Sequence, residues 1–267
     1  MNGIEKQPVG FFDSGLGGLS VVSEVKKLLP GESIEYFADN QHQPYGEKSQ
    51  SQIIKYSSKI MHFLLKKKIK ACVIACNTAT AASLDTLKEN FNIPVIGVIT
   101  PAVQDAIKNT LNKKIGIIAT EFTSKSQIYQ MKIKKIAPEI NVFSNYCPEC
   151  VALVENGKNN SPEAYEIIKK YLSPLKKAQI DTLIIGCTHY AFLKNIISKC
   201  MGEKVTLIDP AESTSRELKK LLIQKRILNK GKKIKENYYT SGVSDVVEKT
   251  ARLILNKEEF IIQKIQQ

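Results

Sequence analysis

Two cysteines stand in settings that invite comparison. Cys76 closes the apolar run CVIAC (72–76) and is followed by Asn77 and Thr78 in ACNTATAAS, while Cys187 ends a second apolar run and opens toward Thr188 and His189 in GCTHY (186–190). A thiol beside amide and hydroxyl donors suits acid–base work. Its reference pKa of about 8.5 falls near a helix N-terminus or a cation, and the same amides favour a substrate carboxylate. Two such thiols suit one task in particular. Inverting a carbon centre requires a proton to leave one face and another to arrive at the opposite face, so a base is needed on each side, one ionised and one protonated.

The surrounding elements explain how two thiols would come to face one molecule. Short apolar runs alternate with longer segments of helical spacing: VGFFD (9–13) before LSVVSEVKKLL (19–29), CVIAC before ASLDTLKENF, and VIGVI (95–99) before PAVQDAIKNTL. Val22, Val25 and Leu29 fall on one helical face, and Pro101 suits a first helical turn. This alternation predicts an α/β fold with mainly parallel sheets.

The pattern then restarts. Asp13 and Ala119 end matching segments 106 apart, Ile34–Asn40 resembles Ile140–Tyr146 at the same spacing, Cys76 and Cys187 are 111 apart, and Pro101 and Pro210 are 109 apart. Four strand ends recurring in order predict two similar domains, related by a pseudo-twofold axis, with the active site in the cleft between them. The boundaries expected are 1–101 plus 210–267 for the first domain and 102–209 for the second. Ligands of open parallel sheets bind at the carboxyl ends of strands, where both cysteines are placed.

Composition removes several function classes. The net charge of +13 would suit nucleic acid, yet only three of the 39 basic residues are arginine (Arg216, Arg226, Arg252), so a lysine-rich solvated surface is expected and no nucleic-acid partner. The basic run KRILNKGKKIK (225–235) reads as a solvated connection. MNGIEKQ lacks the start of a secretory signal and no apolar stretch approaches the roughly 20 residues of a membrane span, so a soluble, cytoplasmic protein is expected, without a membrane partner. In that compartment the six cysteines (72, 76, 147, 150, 187 and 200) are expected to be reduced, with no disulfide framework. Cys72 and Cys200 read as packing residues. Cys147 and Cys150 have redox or zinc spacing, but no second CxxC and only three histidines accompany them, so no metal is expected.

The set FFDSGLGGLSV (11–21), QPYGEKS (43–49), ACNTAT (75–80), IGIIAT (115–120), VALVENG (151–157) and GCTHY (186–190) strongly resembles the glutamate racemases. That resemblance implies cofactor-independent interconversion of L- and D-glutamate for peptidoglycan synthesis, on two α/β domains, in a homodimer. It implies Cys76 as the acid/base acting on D-glutamate and Cys187 as the one acting on L-glutamate. Asp13 would assist the nearby thiol and, with Ser14, form the first substrate loop; Tyr45 with Gly46, Asn77 with Thr78, Thr123 and Thr188 would make further substrate contacts. His189, oriented by Glu155, would touch substrate and assist Cys187. The C-terminal segment is expected to return to the first domain through a strand at NYYTSG and a following helix.

Other readings of the same residues are a different amino-acid racemase or a decarboxylase of the same superfamily, such as an aspartate racemase, which would share the thiols, a non-catalytic two-domain amino-acid-binding protein, and a thiol oxidoreductase using CPEC. DSGLGGLS is not a phosphate loop, because Ser20 stands where the dinucleotide fingerprint needs glycine, no GK[ST] follows, and Asp13 would repel phosphate. A turn presenting Asp13 and Ser14 is expected instead. GCTHY is not the GxSxG elbow of serine hydrolases.

Overall fold

The computed structural model describes residues 3–231, 234–242, 247–249, 251–252 and 260–265. Its first four strands are β1 (Val9–Asp13), β2 (Ile34–Ala38), β3 (Ala71–Ile74) and β4 (Val95–Gly97). Four more follow: β5 (Lys114–Ala119), β6 (Asn141–Tyr146), β7 (Thr182–Gly186) and β8 (Thr206–Ile208). The last two described are β9 (Glu236–Thr240) and β10 (Gln263–Lys264). They form one sheet ordered β10-β9-β2-β1-β3-β4 and another ordered β6-β5-β7-β8, with every described pairing parallel.

The internal repeat is therefore real at the level of topology. The order β2-β1-β3-β4 recurs as β6-β5-β7-β8, and β9 and β10 extend only the first sheet. One match shifts in register. Asp13 pairs with Ala38 and Ala119 with Tyr146, so Ala38 rather than Asn40 is the counterpart of Tyr146. The slip is two residues, which preserves which face each side chain takes and so leaves the hydrophobic pattern unchanged.

Sequence accounts for the strands directly. β1, β2, β3 and β7 are buried along their whole length, as strands covered on both faces are, with Glu35 of β2 a buried charge in an otherwise apolar run. Helix Leu19–Leu28 buries Leu19, Val21, Val22 and Val25 and stops where expected. Helix Asn77–Asn90 starts earlier than its apolar spacing suggests, immediately after Cys76. Its first turn is polar because it lies at the strand ends, where apolar periodicity carries no signal. The run 225–235 joins helix Pro210–Gln224 to β9, and its residues 232 and 233 lie outside the described set. The terminal strand expected at NYYTSG is β9; residues 247–249 and 251–252 are helical, and the rest of that expected helix lies outside the described residues. Among the described residues no helix is long and apolar enough to cross a membrane.

By contact density the chain divides into two compact units, Met1–Val98 with Thr214–Gln267, and Ile99–Ser213. In the first, a buried ion pair ties distant segments together. Lys70, between the helix Gln50–Lys66 and β3, sends its Nζ to Glu32 Oε2 at 2.5 Å, to the carbonyl of Glu5 at 2.6 Å and to that of Ile227 at 2.9 Å. Burial pulls its ammonium below the ordinary lysine value, and Glu32 opposes that shift. Removing one partner strands the other charge, so Lys70→Met is expected to destabilise the chain by about 3 kcal/mol, read from denaturant midpoints.

In the second unit the core gathers Ile118, Leu153, Ile168, Leu172, Leu183 and Ile185 against Tyr190 and Leu193. This cluster fixes the segment that follows β7, and with it Cys187.

Candidate active site

Residues that could do chemistry gather at the carboxyl ends of the strands in each unit. In the first, Asp13 ends β1, Asp39 follows β2 and Cys76 lies two residues beyond β3. In the second, Thr120 follows β5, Cys147 follows β6 and Cys187 follows β7.

Cys76 is the N-cap of helix Asn77–Asn90, its sulfur accepting from the amide of Ala79 at 3.4 Å. A helix N-terminus favours negative charge, which on this sulfur means thiolate. Ser14 Oγ lies 3.8 Å from the same sulfur. Ser14 is placed by the turn after β1, and that turn is organised by Asp13, whose Oδ2 accepts from the amides of Gly15 (3.1 Å) and Gly18 (3.0 Å). Glycine is required at 18: a Cβ there would sit 2.6 Å from Asp13 Cβ and 2.9 Å from both Ala75 Cβ and the Tyr36 hydroxyl. Tyr36 donates to the carbonyl of Gly15 at 2.7 Å. Burial, then the charges of Asp13 and Cys76, hold its phenol well above the ordinary tyrosine value, so it remains a donor. Asn77 and Thr78, in the first helical turn, are buried beside the thiol.

Tyr45 and half-buried Gly46 lie in a short 3-10 turn, Tyr45–Glu47. The Tyr45 hydroxyl donates to Asp39 Oδ2 at 2.6 Å, Ser241 donates to Asp39 Oδ1 at 2.6 Å, and His42 Nδ1 lies 2.8 Å from the same oxygen. Burial and then Asp39 raise the Tyr45 phenol, keeping it protonated.

Cys187 opens the 3-10 helix Thr188–Leu193. His189 Nδ1 lies 4.0 Å from its sulfur, and His189 Nε2 lies 3.3 Å from Glu155 Oε1, at the end of helix Glu149–Glu155. Glu155, His189 and Cys187 therefore lie in a row within one unit. Thr188 is buried beside Cys187, and Thr123 is buried in the helix Glu121–Lys125, where Thr120 caps its amide at 3.4 Å and donates to its hydroxyl at 3.0 Å.

Comparison with known proteins decides the family. A family profile described as Asp/Glu/Hydantoin racemase matches residues 18–218. The glutamate racemase of Thermoanaerobacter pseudethanolicus is 40% identical over 255 residues, 96% of each chain. This chain belongs to the aspartate/glutamate/hydantoin racemase family. Among solved structures, a glutamate racemase isoform from Bacillus anthracis matches with TM-score 0.95 and 39% identity over 98% of each chain. The glutamate racemase of Francisella tularensis, solved in complex with D-glutamate, matches with TM-score 0.92 and 36% identity, again over 98% of each chain.

Within this racemase fold the structure brings Asp13, Ser14, Cys76, Asn77 and Thr78 to one set of strand ends, and Glu155, Cys187, Thr188 and His189 to another, with Thr123 following β5. Sequence reasoning missed Asp39. It was visible as the polar residue directly after β2, but only the fold reveals the Tyr45, Ser241 and His42 side chains converging on it.

One expectation is overturned. Cys147 and Cys150 are joined by a disulfide, leaving Cys72, Cys76, Cys187 and Cys200 as the free cysteines. Compartment arguments describe the average cysteine; here a turn at the start of helix Glu149–Glu155, with the Cys150 amide on the Cys147 carbonyl, sets the two Cα atoms 5.5 Å apart. Denatured without reductant, the chain is expected to titrate four thiols with Ellman's reagent, and six after reduction. Buried Cys72 and Cys200 fit packing roles: burial raises both thiols.

Proposed function

We propose that this chain interconverts L- and D-glutamate without a cofactor, by two-base proton transfer between Cys76 and Cys187 and the α-carbon. One observation carries the reading. The equivalent strands β3 and β7 of two like-ordered sheets each lead into a buried cysteine at the N-cap position of a following helix. The similarity to glutamate racemases supports glutamate as the substrate.

In this account Cys76 takes the α-proton from D-glutamate and Cys187 takes it from L-glutamate, each returning a proton when turnover reverses. The two compact units act as the two domains, each supplying one of the thiols. Asp13 and Ser14 hold the first loop; Tyr45, Gly46, Asn77 and Thr78 bind glutamate from that side, and Thr123, Thr188 and His189 from the other. Asp13 supports the Cys76 thiol, and Glu155 supports His189 as it receives the Cys187 proton. As the α-carbon gives up its proton, charge moves into the α-carboxylate, where helix-terminal amides and hydroxyls stabilise it. The product serves peptidoglycan synthesis in the cytoplasm, and the enzyme works as a homodimer.

The test is direct. Pure protein with L-glutamate and no added cofactor is expected to bring the circular dichroism of the amino acid to zero, and to act at least about tenfold more slowly on L-aspartate. Faster turnover of aspartate would move the substrate assignment to the aspartate racemases, and tight glutamate binding without inversion would make the chain a binding protein.

A further inference from the structure

The two thiols are held by different devices. Cys76 caps a 14-residue α-helix, with the amide of Thr80 on its carbonyl at 2.9 Å and the amide of Ala79 on its sulfur. Cys187 caps only a six-residue 3-10 helix, without a side-chain capping bond. The sheet gives no further help there, because the ladders around β5 end at Ala119, opposite Tyr146 on one side and Gly186 on the other. The turn from Cys187 to His189 follows directly on the ends of those ladders.

Tyr190 joins that turn to the neighbouring strand ends. It is fully buried, its amide closes the turn onto the Cys187 carbonyl at 3.1 Å, and its hydroxyl lies 3.0 Å from the carbonyl of Ala119 and 2.7 Å from that of Cys147. Those carbonyls belong to the last residue of β5 and the first after β6. One hydroxyl therefore ties together the three strand ends that lead to Thr123, Glu155 and Cys187. We propose that Tyr190 is the positioning residue for the Cys187 side of the reaction, fixing the Cys187–His189 turn against the ends of β5 and β6. Burial, followed by the nearby Cys187, raises its phenol well above the ordinary value, so the hydroxyl keeps its proton for this bond.

This inference rests on the two-thiol reading above, and it predicts asymmetry. Enantiomers have equal free energy in water, so kcat/KM must stay equal in the two directions for any variant. A defect on one side therefore appears in isotope effects rather than in a preferred direction. Tyr190→Phe is expected to lower kcat/KM at least about tenfold, since small displacements of a reacting group are costly. The α-deuterium isotope effect is expected to rise for L-glutamate, whose proton Cys187 removes, more than for D-glutamate.

A folded Tyr190→Phe variant within twofold of the parent rate, or one whose two isotope effects rise equally, would overturn the proposal while leaving the racemase reading intact. A parent enzyme inactive on glutamate would instead remove that reading. If Tyr190→Phe does not fold, hydrogen exchange on the unaltered enzyme decides: strong protection of amides 187–190 is expected, and exchange as fast as in an open loop would contradict the anchoring role.

Discussion

Replacing Cys76 or Cys187 by alanine is expected to lower racemisation by at least about 1,000-fold, within the range that positioned general acids and bases contribute. In the proposed two-thiol mechanism each variant loses one of the two acid/base groups, so neither can both take and return a proton across the α-carbon. Both should fold, because alanine keeps the small apolar part of each buried side chain, and melting curves check this. What remains of each activity should differ. Cys187→Ala retains the thiol assigned to the D-enantiomer, so slow exchange of the α-proton with solvent is expected on D-glutamate without inversion. Cys76→Ala is expected to show the mirror behaviour on L-glutamate. Full inversion by either variant would remove the assigned pair.

Asp13 is expected to give the second largest effect, and two substitutions separate its roles. Both turn amides bind the same oxygen, Oδ2. Alanine leaves them unpaired in the interior, at about 1–3 kcal/mol each, so Asp13→Ala should be both destabilised and inactive. Asparagine can offer its side-chain oxygen to both amides. Asp13→Asn should therefore melt close to the parent yet lose about 100-fold in rate, if the proposed support of the thiol by the carboxylate holds. An Asp13→Asn enzyme of parental activity would reduce Asp13 to a scaffold for the turn.

The fold was legible because parallel strands buried on both faces leave unbroken apolar runs such as VGFFD and TLIIG, and because duplication repeated them in order. The thiols were legible for a related reason: a polar residue directly after such a run must lie at a strand end, where sites form. Other features depend on contacts far apart in sequence. Asp39 becomes interpretable only when Ser241 and Tyr45 are seen on its carboxylate, and Tyr190 only when Ala119 and Cys147 arrive from other strands. The helix start at Asn77 escaped apolar periodicity because its first turn, NTAT, is polar although buried at the strand ends. The Cys147–Cys150 bond escaped because a local turn, rather than the average redox state of a compartment, brings those sulfurs together.

The most direct measurement follows early turnover of L-glutamate in deuterated water, with both enantiomers separated and their α-positions analysed by mass. Transfer between two thiols predicts D-glutamate carrying α-deuterium while the unreacted L-glutamate keeps its hydrogen. Deuterium entering recovered L-glutamate as fast as D-glutamate forms would mean that one group serves both faces, and would contradict the account.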